Sequence, residues 1–195
     1  MAQLIFKTGT MSSRKSATLL MEHFDLTEQG YKVSVMKPAL DTRDGDYVSS
    51  RAVQRKVEAI MIGNRTLGKI VHHVQEHKPN YILWDEANFA TTQHIEELRI
   101  AATHYNVDVI CYGLLTDFQT NLFEGSKRLI EIADEVIFME SQCVYCKNKS
   151  KVNMRKVDGK PVFAGEQIQI GGNESYQTVC YNHYDKFRRE YNAKS

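Results

Sequence analysis

Three groups of residues in this sequence have the types and spacing that chemistry requires. The first is Gly9-Thr10-Met11-Ser12-Ser13-Arg14-Lys15-Ser16, directly after the apolar run Leu4-Ile5-Phe6. A strand feeding a loop whose Lys-Ser pair opens a helix is the setting of a phosphate-binding loop. Backbone N–H groups and a helix N-terminus converge on the anion, the lysine adds charge, and the hydroxyl ligates Mg²⁺. The usual pattern is G-x-x-x-x-G-K-[ST], and Arg14 stands where its second glycine would be. The second group is Asp85-Glu86, which ends the apolar run Tyr81-Ile82-Leu83-Trp84. A buried strand of a parallel sheet delivers two such carboxylates to its C-terminal edge, beside the phosphate loop. One can hold Mg²⁺ directly or through water, and the other can take a proton from an attacking hydroxyl. The third group is a Cys143-x₂-Cys146 knuckle followed by a Cys180-x₂-His183 knuckle. Four soft or borderline ligands with two-residue spacers suit a closed tetrahedral zinc site, which is structural rather than catalytic.

The elements that must position these groups follow from periodicity. Residues 15–29 place Leu19, Leu20, Phe24 and Leu26 near helical spacing and stop at Gly30, while Val33–Met36 reads as a strand closed by Lys37-Pro38. Strand, loop, helix and strand form a βαβ unit, which predicts a parallel sheet with a right-handed crossover. Residues 39–51 read as a solvated turn-rich loop carrying Asp41, Arg43, Asp44, Asp46 and Arg51, and Val57–Ile62 as a strand. A helix is expected over Thr66–His77, with Leu67, Ile70, Val71 and Val74 on one face and His72, His73 and His77 on the polar side. Thr91–Tyr105 reads as a helix with Ile95, Leu98, Ala101 and Ala102 inward, Asp108–Tyr112 as a strand, Gly125–Ala133 as a short helix and Glu135–Met139 as the last sheet strand. The alternation predicts a doubly wound α/β unit over residues 1–140. Residues 141–195 are expected to form a small zinc ribbon, with strands over Lys151–Val157 and Pro161–Ile170 joined at Asp158-Gly159, and a Gly171-Gly172 loop before the last knuckle.

Length and composition narrow the classes. At 195 residues and 42% hydrophobic, the chain can build one sizeable core and a small appendage. A formal net charge of +1 gives no global attraction to nucleic acid or to an anionic membrane. Lys147, Lys149, Lys151, Lys156 and Lys160 read as a solvated basic hairpin rather than a nucleic-acid surface. No apolar run approaches the roughly 18–20 residues that span a bilayer. The start MAQLIFK has no signal-peptide layout, and three of four cysteines cluster with a histidine, which suits metal binding in a reducing compartment. A soluble, cytoplasmic protein is expected.

Taken together the motifs resemble the thymidine kinases of the cytosolic, zinc-containing type. Gly9, Met11, Ser13, Lys15 and Ser16 match that family's phosphate loop, and Asp85-Glu86-Ala87-Asn88-Phe89 matches its D-E-A-Q-F. Tyr112-Gly113-Leu114-Leu115-Thr116-Asp117-Phe118, Phe123-Glu124-Gly125-Ser126 and Ile170-Gly171-Gly172-Asn173-Glu174-Ser175-Tyr176 match further family segments in the same order. The resemblance implies a P-loop NTPase-like parallel sheet and ATP-dependent phosphorylation of the 5′-hydroxyl of thymidine, or of a related deoxynucleoside, in nucleotide salvage. It implies that residues 9–16 (Gly9, Thr10, Met11, Ser12, Ser13, Arg14, Lys15 and Ser16) and Asp85 bind ATP and Mg²⁺, and that Glu86 is the catalytic base. Met11, Phe89, Leu114, Phe118, Arg155, Ile168, Ile170, Gly171 and Tyr176 would line the nucleoside site. Structural Zn²⁺ on Cys143, Cys146, Cys180 and His183 would steady the loop that closes on the substrate. Family members are commonly homotetramers.

Four positions depart from the family pattern. Arg14 replaces a glycine, and its Cβ and side chain are expected to crowd a phosphate or distort the loop. Asn88 is one methylene shorter than the family glutamine, Leu115 replaces an arginine, and Lys151-Val152-Asn153-Met154 departs from an Ala-Thr-Met-like piece. These departures admit a second reading, a nucleotide-binding paralogue with impaired or absent catalysis.

Overall fold

Six parallel strands end at one edge, and that edge carries both the phosphate loop and the paired carboxylates. In a computed structural model, which describes residues 1–40, 45–50, 52–64, 68–167 and 175–193, β1 spans Leu4–Thr8, β2 Val33–Pro38, β5 Ile60–Ile62, β6 Tyr81–Trp84, β7 Asp108–Gly113 and β8 Glu135–Phe138. Their order across the sheet is β5-β2-β6-β7-β1-β8, with every pairing parallel. The period-two pleat divides each central strand between two cores. Ile82, Trp84, Val109 and Cys111 face α2 (Lys69–His77), α3 (Thr92–Tyr105) and α4 (Glu124–Ile132), whose Ile70, Val74, Ile95, Leu98 and Leu129 close that side. Leu83 and Tyr112 face the other way, onto Leu19 and Leu20 of α1 (Lys15–Glu28). Helices on both faces make the sheet doubly wound, as the alternation predicts. Among the described residues, no helix is long and apolar enough to cross a membrane.

Several expectations change. Phe24, grouped by helical spacing with Leu19, Leu20 and Leu26, is exposed, and the Arg55 guanidinium lies 4.3 Å from its ring centre. The stretch read as a solvated loop contains β3 (Tyr47–Ser50), which pairs antiparallel with β4 (Arg55–Glu58) and buries Val48 under α1. The strand expected over Val57–Ile62 is therefore divided at Ala59. Its N–H bonds Asp46 O at 2.7 Å, so residues before it join the hairpin and residues after it join the main sheet. Asp41, Arg43, Asp44, Arg51, Thr66 and Leu67 lie outside the described residues. His73 is not solvated with His72 and His77; its Nε2 lies 2.8 Å from Ser34 Oγ on β2.

The last third builds a second, smaller sheet of order β10-β9-β11, from β9 (Val152–Val157), β10 (Lys160–Pro161) and β11 (Tyr176–Val179), antiparallel throughout. Asp158 and Gly159, at φ 49° and 77°, make the hairpin turn that their types predict. The long strand expected from Pro161 ends at Pro161, the second residue of β10. Further along, the Arg155 guanidinium takes the carbonyls of Glu166 and Gln167 at 2.9 and 3.4 Å, oxygens that a strand would spend on a ladder. The third strand is Tyr176–Val179, a stretch read as loop. A helix that the sequence reading lacked, α5 (Tyr181–Asn192), packs Tyr184 and Tyr191 onto Phe163 with ring centres 5.3 and 5.4 Å apart.

His94 links the fold to pH. It completes a capping box with Thr91 at the start of α3, its Nδ1 accepting from Thr91 N and its Nε2–H reaching Gly63 O at 3.3 Å. The Nδ1 bond needs the neutral ring; the Nε2–H bond survives protonation and favours the charged form, but burial outweighs it and lowers the pKa below the ordinary 6.5. The unfolded chain thus binds the proton more readily, and stability present above pH 6.5 is lost as pH falls through the folded value. Unfolding free energy by urea titration should decline as pH falls below about 6.5, and His94→Gln should flatten that decline.

Candidate functional site

The phosphate loop leaves β1 at Gly9 and closes into α1. Two of its non-glycine residues, Ser12 at φ 63° and Arg14 at φ 64°, sit in the left-handed region that L-residues avoid. Left-handed residues of this kind build the backbone nests that bind anions. Arg14 is the N-cap of α1, makes no side-chain cap, and is exposed. It therefore adopts the backbone conformation that a glycine would take without strain. Lys15 reaches back across the loop, its Nζ donating to Thr10 O at 2.8 Å and to Gly9 O and Ser13 Oγ at 3.3 Å.

Two strands away, β6 ends in Asp85 and Glu86. Asp85 is buried; its Oδ2 accepts from Ser16 Oγ at 3.4 Å and its Oδ1 from Glu86 N at 3.0 Å. The hydroxyl and the carboxylate expected to share a metal are thus brought together across the sheet edge. Glu86 is half-buried and left-handed at φ 49°, and a 3₁₀ turn over Ala87–Phe89 follows it. Strain at such a residue persists only where its surroundings over-determine it. Here they do. Asn88 is buried, and its Oδ1 accepts from Leu114 N at 2.9 Å, so the shorter side chain still makes a hydrogen bond. Its Nδ2 is buried with no hydrogen-bond partner among the described residues. A Cβ on Gly113 would lie 2.9 Å from Asn88 N, and one on Gly125 would lie 2.2 Å from Ala87 O. Both glycines are there because the carboxylate turn presses on them.

The expected nucleoside walls are partly gathered. Phe89 meets Phe123 edge-on at 5.9 Å, Leu114 is half-buried, and Phe118 is buried beneath Arg155, whose guanidinium lies 3.8 Å from the ring centre. Arg155 is itself buried and donates from Nε to Tyr176 Oη at 3.1 Å. It ties Phe118, Tyr176 and the stretch that enters residue 168 into one unit. Ile168, Ile170 and Gly171 lie outside the described residues. The sequence reading missed Lys37, a buried lysine at the end of β2 whose Nζ donates to Tyr47 O at 3.0 Å, and Gln119, whose Nε2 donates to Phe163 O in the ribbon at 3.2 Å. Only burial distinguishes Lys37, and no sequence signal reports that. A cavity of about 220 Å³ opens between Thr8–Thr10, Leu115, Phe138 and Lys149–Lys151. Leu115, where the family has an arginine, forms part of its wall.

Cys143, Cys146, Cys180 and His183 converge so that their four ligand atoms lie within 4.8 Å of one another. Cys180 Sγ is 3.2 Å from His183 Nδ1, and Cys146 Sγ is 3.8 Å from Cys180 Sγ. Burial opposes the Cys143 thiolate, but the N–H groups of Cys180 and Tyr145 and the neighbouring thiols outweigh it and bring its pKa down to about 6. Three sulfurs and one imidazole, mutually close, fit Zn²⁺.

The model of the thymidine kinase family matches residues 2–184. The chain belongs to the thymidine kinase family. Thymidine kinases of Streptococcus pyogenes serotype M1 and Streptococcus gordonii are 43% and 44% identical to it, covering 94% and 95% of this chain and 97% of their own. That of Lactococcus lactis is 41% identical over 95% of this chain and 98% of its own. Among solved structures, a replication initiator DnaA bound to AMPPCP and single-stranded DNA covers 72% of this chain and 41% of its own at 14% identity and a TM-score of 0.42, a likeness too loose to argue from. Membership gives the phosphate loop, carboxylate pair and cysteine cluster a common setting, that of a kinase.

Two outcomes follow. Arg14→Gly should raise the unfolding free energy by up to about 1 kcal/mol, read by urea denaturation, because it relieves a left-handed Cβ while loosening the unfolded chain. A strong chelator should strip the metal from this thymidine kinase family member and abolish the near-ultraviolet dichroism of Tyr145, Phe163 and Tyr184, and added Zn²⁺ should restore it.

Proposed function

We propose that this protein transfers the γ-phosphoryl group of ATP to the 5′-hydroxyl of thymidine, forming thymidine monophosphate and ADP. The observation that carries the reading is the meeting of Ser16 and Asp85, 3.4 Å apart, with Lys15 on one side and Glu86 on the other. A phosphate loop, a metal-binding pair and a second acid in one place are the parts that phosphoryl transfer needs. Membership of the family, and the activity for which relatives above 40% identity are named, support thymidine as the acceptor.

In this reading the loop N–H groups and Lys15 hold the β- and γ-phosphates, and Ser16 and Asp85 would hold Mg²⁺. The metal supplies charge neutralisation on the transferring group. Glu86 accepts the proton of the 5′-hydroxyl as its oxygen bonds to phosphorus and the bond to ADP breaks. The αL backbone at Glu86 and the glycine packing beneath it fix where that carboxylate points, and positioning of this kind is what lowers the barrier in a reaction with little covalent work for the protein. Met11, Phe89, Leu114, Phe118 and Tyr176 form the walls for the nucleoside. Residues 168, 170 and 171 complete that site in the family pattern. Arg155 acts on that segment through the Glu166 and Gln167 carbonyls. Zinc at the four ligands lowers the ordering cost of the segment between β10 and β11. The second reading, a nucleotide-binding paralogue without catalysis, draws no support from the fold or from the relatives.

Glu86→Gln should lower kcat for thymidine phosphorylation about 10²- to 10⁴-fold while the Kd values for ATP and thymidine stay near those of the wild type. Steady-state ADP release and calorimetric titration measure the two. A folded, zinc-loaded wild type that turns over no deoxynucleoside would overturn the reading.

A further inference from the structure

The phosphate loop is tied to the ribbon by hydrogen bonds that the site described so far does not use. Thr10 Oγ1 lies 2.7 Å from Ser141 Oγ and 2.7 Å from Ser150 Oγ, and the two serine hydroxyls are 2.5 Å apart. One residue on, Met11 N donates to Asn153 Oδ1 at 2.8 Å. Thr10 and Asn153 are buried and their partners half-buried, so these bonds are partly shielded from water. Loss of one of them leaves a buried polar group unpaired.

The chain path explains how these residues meet. β8 runs beside β1 with Phe138 opposite Thr8, and Met139 N continues the pairing to Thr8 O at 2.6 Å, so residues leaving β8 travel alongside residues leaving β1. Ser141 is thereby delivered to Thr10. The chain then makes a closed turn, with Ser150 N on Ser141 O at 2.8 Å and Cys143 N on Asn148 O at 2.9 Å, and its tip is the Cys143–Cys146 knuckle. The two serines are the base of that turn. β9 starts directly after it and brings Asn153 over Met11.

We propose that Ser141, Ser150 and Asn153 are positioning residues for ATP: they hold the phosphate loop in its strained, anion-receiving shape. Ser12 and Arg14 are left-handed without being glycine, and such a backbone relaxes unless neighbours fix it. Within the loop itself, Ser13 N on Thr10 O at 3.3 Å and the Lys15 ammonium supply part of that restraint. The bonds at Thr10 and Met11 supply it from outside, at the two residues preceding the first strained one. The inference rests on the phosphate loop binding ATP, as the proposed function has it.

The test is calorimetric titration of Mg²⁺–ATP, without nucleoside, into zinc-loaded wild type, Asn153→Ala and the double variant Ser141→Ala/Ser150→Ala, beside Ser150→Thr. Asn153→Ala and the double variant should each weaken ATP binding roughly 3- to 10-fold, the worth of about one buried hydrogen bond. Ser150→Thr should keep wild-type affinity. In the Ser141→Ala/Ser150→Ala variant, KM for ATP should rise by a similar factor while KM for thymidine and the Zn²⁺ content hold, a split that a general loss of structure would not produce. Wild-type ATP affinity in both weakening variants, with wild-type binding intact, would overturn the inference alone. Equal losses for ATP and thymidine would also overturn it. A wild type that does not bind Mg²⁺–ATP would overturn both the inference and the reading beneath it.

Discussion

The site depends on two turns held in left-handed backbone at the ends of nearby parallel strands. One is the phosphate loop after β1, with Ser12 and Arg14; the other is the carboxylate turn after β6, with Glu86. Each costs of order 1–3 kcal/mol per strained residue, and neither would keep its shape in isolation. A parallel sheet makes the arrangement possible because every strand delivers its C-terminal end to the same edge. β7 lies between the two, and its last residue, Gly113, touches both: its carbonyl accepts from Thr8 Oγ1 at 3.0 Å, and its missing side chain makes room for Asn88. The distance between phosphate loop and acid is therefore set by two strand spacings, roughly 9–10 Å at the backbone. Side chains close that gap, Ser16 from one turn and Asp85 from the other.

What was legible in the sequence was what is local. The run Tyr81–Trp84 is apolar throughout because both of its faces are covered, and its length and ending identify a central strand with acids at its tip. The knuckle spacers Cys143-x₂-Cys146 and Cys180-x₂-His183 likewise carry their meaning within four residues, and the four ligand atoms do converge. Elements that depend on distant partners were harder. β3 is short, lies between turn-forming residues, and pairs with the charged stretch Arg55–Glu58, so its alternation is masked. Tyr176–Val179 adjoins a Gly-Gly loop and became a strand only through its partner β9. The aromatic spacing Tyr184, Phe187, Tyr191 was a signal for α5 that went unread.

The same distinction governs the site. Lys15, Ser16, Asp85 and Glu86 are visible because their chemistry is written beside them in the chain. The groups that hold them are not. Asn88 on Leu114 N, Asn153 on Met11 N, and Thr10 on Ser141 and Ser150 join residues 26 to 142 positions apart, and each partner taken alone is an ordinary polar residue. Two of the positions that depart from the family pattern, Asn88 and Asn153, turn out to be such supports.

That bears on Arg14. A non-glycine residue at a left-handed position is tolerated in proportion to how firmly the residues on either side of it are fixed. On one side lies α1, where Thr18 N bonds Arg14 O at 2.9 Å and Leu19 and Leu20 are anchored in the core. On the other lie Thr10 and Met11, bonded to the ribbon. The backbone at residue 14 is thus clamped from both ends, and the cost of its Cβ falls on folding stability rather than on loop shape. The side chain is exposed, so its charge stands at the mouth of the loop rather than inside the backbone nest. With its neighbours fixed on both sides, the strain of a left-handed arginine here falls on the free energy of the fold.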